Sequence, residues 1–349
     1  MLIDIENKKI LKDSKYSNLF LSASLNEIKE DCKILKSNFY LDSFNYFPIT
    51  KNYETFKELF KRQDNNSIEN FYTETFFKGL KNNINNFKNI NDCFILGSSP
   101  ADNFYSNLIH FLPRIFFVDD KQINLLIHRN SSNKLRNLIT NICHMRDIEV
   151  KFIYIDHEFC NFSNSNFPQF FKIEKSVKIL KFFFQKILAG IQDLDFSKKI
   201  YVRRENSTYR KVLNEADLIQ KLRKNNFDII NPNHFSILEQ MKIFSKADVI
   251  ISPHGSNLSN IIFSKNGTKV FEIGPKFDKS YEINLQNRYK QLSNITELQY
   301  TKLEVDSVNV ESHSALATKY ITKKILDESN YYKNLIVKVN EIDKILESI

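Results

Sequence analysis

From Asp92 onward, apolar runs of strand length alternate with amphipathic stretches of helix length, and turn-forming residues separate them. Strands that alternate with helices in this way pair in parallel, with the helices crossing over the faces of the sheet. The series begins at Cys93-Phe94-Ile95-Leu96, which Gly97-Ser98-Ser99-Pro100 ends. Residues 101–112 read as a helix that Pro113 ends or kinks. Runs at 114–118 and 123–127 have strand length, although the first also reads as a continuation of the helix. A helix over 131–144 and a strand over 148–155 follow. The polar segment 161–168, rich in Asn and Ser and closed by Pro168, predicts a boundary between two α/β halves.

A long helix is expected over 173–190, then a second alternating series. Its strands fall at 199–204, 227–230, 248–252 and 269–273. Its helices fall at 214–225, with Asn214 as the cap, and at 257–263, with one between them that opens at Ser236. Ser236 followed by Glu239 is the capping-box spacing. Helices over 314–327 and 340–349 flank a short strand at 334–339. The first ninety residues carry no clear period, and 54–62 and 68–87 read as helical. The fold class is therefore α/β, built on a parallel, doubly wound sheet.

A length of 349 residues suits two domains, each with its own core. Lys and Arg number 50 against 41 Asp and Glu, and a formal charge of +9 attracts anions. The chain is also saturated with Asn, Lys, Ile and Phe, and that bias accounts for most of the excess. Cys32, Cys93, Cys143 and Cys160 lack CxxC spacing, which argues against a disulfide framework or a structural zinc site and suits a reducing compartment. The N-terminal residues have acidic side chains where a secretory signal needs basic and then apolar ones. Lysines break every long apolar patch, so no membrane span is expected. The expected location is cytoplasmic, with peripheral contact on an anionic inner membrane.

Ligands of open parallel sheets bind at the carboxyl ends of the strands. Three features fall there: Arg203-Arg204, Pro253-His254-Gly255-Ser256-Asn257, and Glu272. The turn at 253–257 leads into a helix whose first N–H groups and dipole favour an anion. Gly255 lets the backbone approach a ligand. His254 suits a phosphate hydrogen bond or proton transfer. Arg203 and Arg204 suit a diphosphate clamp, and Glu272 suits ribose hydroxyls. Taken singly, each also fits a solvated turn, a solvated charge or a water-facing strand residue.

Five motifs follow in order: Tyr201-Val202-Arg203-Arg204, Lys211-Val212-Leu213-Asn214-Glu215, Ser236-Ile237-Leu238-Glu239-Gln240, His254-Gly255-Ser256-Asn257-Leu258-Ser259-Asn260 and Gly267-Thr268-Lys269-Val270-Phe271-Glu272. On these motifs the stretch 94–275 resembles glycosyltransferase family 61. A fainter echo runs from Asn103 to Arg114. Asn257 replaces the second glycine of the family's H-G-A-G, and Ser106 replaces its upstream histidine. His110 stands at its usual acidic position.

The resemblance implies two Rossmann-like domains facing a cleft, the GT-B arrangement. A region 1–90 would pack on an acceptor domain, 91–168. A donor domain, 169–310, would bind the nucleotide-sugar, and a helical tail, 311–349, would return toward the first domain. It implies inverting transfer, with no cofactor and no metal, from a nucleotide-sugar to a glycan or lipid-linked acceptor in surface polysaccharide synthesis. Donor-binding residues would be Arg203, Arg204, His254, Gly255, Ser256, Asn257, Asn260 and Glu272. Candidate bases are His110, Asp102 and Asp119. Asp193-Leu194-Asp195 matches a metal-binding DxD pattern but precedes a strand, so it reads as a loop. Two rivals stand beside this reading. One is a degenerate homologue that binds nucleotide or glycan without turnover. The other is a basic nucleic-acid-binding protein, for which no recognition motif is present.

Overall fold

The computed structural model describes residues 2–4, 9–11, 20–42, 46–61, 82, 84–156, 159–205, 207–277, 279, 282–313 and 322–349. The chain forms two compact units, Met1–Ile179 and Leu180–Ile349, and the division falls within a helix, Ile173–Ala189. No described helix is long and apolar enough to cross a membrane. All four cysteines are free and buried.

The strands of the first unit are β1 (Leu2–Asp4), β2 (Lys9–Leu11), β3 (Phe20–Leu25), β4 (Glu30–Asp42), β5 (Phe47–Thr50), β6 (Glu54–Phe56), β7 (Lys88–Asn91), β8 (Phe94–Ile95), β9 (Gln122–His128), β10 (Glu149–Ile155) and β11 (Phe159–Pro168). β2, β1 and β6 form a small antiparallel sheet. The main sheet runs β10-β9-β8-β11-β4-β3, with β7 also on β11 and β5 on β4. Its β10-β9-β8-β11 part is parallel, and β11, β4 and β3 pair antiparallel.

Two expectations fail here. Of 54–62, Glu54–Phe56 form a strand and Lys57–Leu59 a 3-10 turn rather than a helix, because Thr55, Phe56 and Leu59 bury into a β-rich core beside Phe39 and Leu41, and residue 62 lies outside the described residues. Of 68–87, most lies outside the described residues. The segment 161–168 is not a boundary loop but the middle of the sheet. Cys160 and Phe162 face the core, the register shifts between Phe162 and Ser165, and Phe167 faces the core again. Asn164 takes a left-handed φ of 45° at that bulge. Asn164 is exposed while Ser165 is fully buried against Cys93, so a real period of two is broken by one extra residue.

Residues 104–117 are helical but irregular: one α turn, a π turn over Asn107–Phe111 and a 3-10 helix over Leu112–Phe117. Of the run at 114–118, residues 114–117 thus continue the helix and Val118 leaves it extended. Arg114, fully buried, explains why. It donates to the carbonyls of Ile95 (3.0 Å), Leu96 (2.7 Å) and Pro168 (2.7 and 3.1 Å) and stacks on Phe170 at 4.1 Å. It pins the helix to the carboxyl ends of β8 and β11. Helices α1 (Asn133–Met145) and α2 (Ile173–Ala189) complete this part of the chain.

The second unit has β12 (Lys199–Val202), β13 (Asp228–Ile230), β14 (Val249–Pro253), β15 (Lys269–Pro275), β16 (Gln299–Val308) and β17 (Asn334–Ile336). Its helices include α3 (Glu215–Lys224), α4 (Ile237–Lys246), α5 (Arg288–Ile295) and α6 (Val339–Glu347). The sheet order is β13-β12-β14-β15-β16-β17, parallel except at β17. The capping box is present, with Ser236 and Glu239 exchanging side-chain and backbone bonds.

Asn214 makes no cap; its amide bonds both the N–H (3.0 Å) and the C=O (2.7 Å) of Val337. The apolar face of α6 is taken up inside the second unit. Ile342 and Ile345 bury against Leu218 and Leu222 in the second unit's own core, and Lys221 pairs with Asp343.

Candidate functional site

β12 connects outward to β13, and the chain then crosses back to β14 on the other side of β12. The crevice between β12 and β14 is therefore the switch point of this sheet, where doubly wound folds bind ligands. Arg203-Arg204 leave the carboxyl end of β12, and His254-Gly255 leave that of β14. The sheet order brings these two pieces together.

His254 is fully buried, and its backbone N–H donates to the carbonyl of Ile273 at 2.7 Å. Its Nδ1 meets Oε1 of Glu272, also fully buried. Glu272 Oε2 accepts from the Tyr300 hydroxyl at 2.7 Å. A carboxylate partner assigns the proton to Nδ1 and leaves Nε2 with its lone pair. Nε2 has no hydrogen-bond partner among the described residues. Tyr289, Tyr331 and Phe277 surround the imidazole, with ring centroids 5.0, 5.4 and 5.6 Å away. Burial in this aromatic box holds the imidazole below its ordinary range, against the opposing pull of Glu272. Glu272 is fully buried, and its two oxygens face His254 and Tyr300. It orients His254.

The two arginines have different fates. Arg203 is neutralised: it donates to Glu215 through Nε (3.0 Å) and Nη2 (2.8 Å), and Nη1 lies 3.3 Å from Glu205. Glu215 also accepts from Tyr201 at 2.9 Å. Arg204 lies against Gly255, where any Cβ would overlap its guanidinium. Gly255 is extended, with φ −178°, so glycine is needed there for space and not for its backbone.

Beside Arg204 stands Arg210, which the sequence reading missed. It is only 4% exposed, and its guanidinium lies 3.9 Å from the Tyr331 ring and 4.9 Å from that of Tyr209. Among the described residues, its Nε and Nη1 and the Nε of Arg204 have no hydrogen-bond partner. Among the described residues neither arginine makes an ion pair. Burial, and then the charge of Arg210, push Arg204 down to about 10. Burial opposes the charge on Arg210 too, but the surrounding tyrosines, Tyr331 first, outweigh it. Arg210 adjoins the 211–215 motif, but its place here depends on a left-handed backbone, φ 59°, that no residue type announces.

Ser256–Phe263 is a 3-10 helix, so its first turn is tighter than the α-helix expected. Tyr289 secures its start by donating to the carbonyl of Gly255 at 2.6 Å. Ser256 and Asn257 are part-exposed at this start. Asn260 is fully buried, and its amide donates to Asn257 (3.2 Å) and Gln240 (3.4 Å), which ties the helix to α4.

In the first unit, Asp102 follows β8 in a left-handed conformation, φ 46°. It accepts from Asn107 at 3.0 Å, and Asn107 accepts from the N–H of Ser99 at 2.6 Å. Burial raises the Asp102 carboxyl above its ordinary range, against Ser132, Asn107 and Arg136. His110 is part-exposed on the π turn, its ring 5.7 Å from Tyr105. Ser106 lies one turn before it. Asp119 is exposed, and its charge acts on Arg146. His128, buried at the carboxyl end of β9, has its N–H bonded to Ser98 Oγ at 3.0 Å; the sequence reading passed over it. Asp193 and Asp195 lie in a loop, and Asp193 pairs with Lys242 (2.8 Å) and Lys246 (3.1 Å).

Residues 104–271 match the family model described as Glycosyltransferase 61. A comparison with curated proteins finds no match. The matched stretch takes in Arg203, Arg204, Arg210, His254 and Gly255 and ends one residue short of Glu272. A mixed α/β fold with parallel sheets agrees with that match, and the family acts by glycosyl transfer. The chain therefore carries a glycosyltransferase family 61 domain.

Proposed function

We propose that the protein moves a sugar, with inversion and without a metal, from a nucleotide-diphosphate donor to a glycan or lipid-linked acceptor. One observation carries this: Arg204 and Arg210 are two neighbouring guanidiniums at the switch point, beside His254 and Gly255, and neither meets a carboxylate among the described residues. Sequestered positive charge without a carboxylate is costly, and a ligand with two adjacent negative groups relieves it. A diphosphate is such a ligand. The acceptor oxygen forms a bond to the anomeric carbon as the bond to the diphosphate oxygen breaks. The electron pair leaves with the diphosphate, and the arginines stabilise it. The acceptor proton passes to a base of the first unit. His110, Asp102 and Asp119 are the candidates, and burial raises the Asp102 carboxyl toward the range of a working base.

In this reading the second unit holds the donor and the first the acceptor, as in a GT-B enzyme. The formal charge of +9 favours a cytoplasmic enzyme held loosely at an anionic membrane surface, in surface polysaccharide synthesis. The test is a thermal-shift panel of UDP-, GDP-, CMP- and dTDP-sugars, with and without Mg²⁺. A selective shift, independent of Mg²⁺ and lost in Arg204→Ala, is the expected result. Arg203→Ala is expected to lower stability through loss of the Glu215 contacts. No shift with any donor supports a second reading, a homologue without turnover. Ser106 at the family's histidine position favours that reading.

A further inference from the structure

We propose that Tyr331, outside the family match, is a positioning residue of the donor site: it holds Arg210 in place while leaving its positive charge unspent. The inference rests on the donor-site reading. Its basis is the contrast between two arginines in one unit. Arg203 is oriented by Glu215 and Glu205, and those carboxylates neutralise it. Arg210 is oriented by aromatic faces, Tyr331 at 3.9 Å and Tyr209 at 4.9 Å, and the uncharged Tyr331 hydroxyl also accepts from its guanidinium. A ring holds a guanidinium through its quadrupole and adds no net charge, so the full cation remains for an anion.

The placement of Tyr331 is built into the backbone. Arg210 donates its N–H to Lys333 at 3.0 Å, Leu335 donates to Lys211 and Leu213 to Leu335, each at 2.8 Å. Val212 and Leu335 form a parallel bridge. Asn334 Oδ1 accepts from the N–H of Lys211 at 3.0 Å. The turn itself is fixed by Ser329, whose Oγ accepts from the Tyr331 N–H at 3.2 Å and bonds the buried Glu282. Residues 210–214 and 329–337 thus form one locked pair. Their register sets Tyr331 on Arg210 and also closes the aromatic box over His254. The left-handed φ of 59° at Arg210 is held by this pairing. The matched stretch 104–271 is therefore incomplete as a donor site without the C-terminal segment.

The test measures binding of inorganic pyrophosphate to the full chain by calorimetry. Tyr331→Phe, which keeps the ring, is expected to bind within about threefold of wild type. Tyr331→Leu is expected to bind about tenfold more weakly or worse. Tyr331→Glu, which neutralises Arg210, is expected to bind at least about tenfold more weakly than the equally sized Tyr331→Gln. The Glu and Gln pair decides the matter if Tyr331→Leu does not fold. Rescue by Phe separates positioning from a simple structural role. Wild-type affinity in Tyr331→Leu, or equal affinity in the Glu and Gln variants, overturns the inference. Wild type that fails to bind pyrophosphate, or Arg204→Ala that binds it like wild type, overturns the donor-site reading itself. Loss in Arg204→Ala with no loss in Tyr331→Leu overturns only the role of Tyr331.

Discussion

His254 carries its ring in an apolar box, with one nitrogen on Glu272 and the other open. Its pH behaviour follows from that burial. The folded imidazole lies below the ordinary value of 6.5, so the unfolded chain binds the proton first as pH falls. Stability from this group is whole above 6.5 and is lost below it, at up to about 1.4 kcal/mol per pH unit. The melting temperature of wild type should therefore drop more steeply from about pH 7 to pH 5 than that of His254→Asn. Parallel slopes would mean that Glu272 keeps the ring charged in the fold. Tyr300→Phe leaves a buried Glu272 oxygen unpaired, and urea unfolding should register a loss of about 1–3 kcal/mol. Gly255→Ala tests space alone, since its backbone suits any residue. The added methyl displaces Arg204, and pyrophosphate affinity measured by calorimetry should fall about tenfold with little change in melting temperature. Undiminished binding would place the anion elsewhere.

Two elements depend on a single polar side chain each. The first is α4, which starts at the Ser236 capping box. Ser236→Ala should cost about 1 kcal/mol in a denaturant titration. The second is the irregular helix 104–117. Its Arg114 satisfies three carbonyls at the ends of β8 and β11. Arg114→Ala strands those carbonyls and opens a cavity, and a loss of about 3–5 kcal/mol is expected in the same titration. Arg114 stands in the motif that suggested the family, yet its work is architectural. Much at this scale was legible beforehand. Ser236 and Glu239 announced their helix because capping is local chemistry. The Asn161–Pro168 stretch misled because its period of two is broken by a bulge and its outer face is polar. Arg210 stayed hidden because its neighbours in space, Tyr331 and His254, are distant in sequence.

The chain as a whole divides into two units with separate cores. The second has its own sheet, its own C-terminal helix and the complete arginine pair with Tyr331. A fragment of residues 173–349, which keeps α2 whole, is expected to fold by circular dichroism and to bind pyrophosphate within about threefold of the full chain. A fragment that folds but does not bind would require a phosphate ligand from the first unit.

Local pattern determined the alternation of strands and helices from Asp92 onward, the capping of α4, and the loop-borne chemistry at 203–204 and 253–257. Those signals are carried by neighbours along the chain, and physics between neighbours reads directly from residue order. Pairings across the sheet were decided only in three dimensions. They turned Arg203 to Glu215, closed Glu272 onto His254, and set Tyr331 on Arg210. A charge gains or loses its partner according to what packs beside it, and that is a property of the fold.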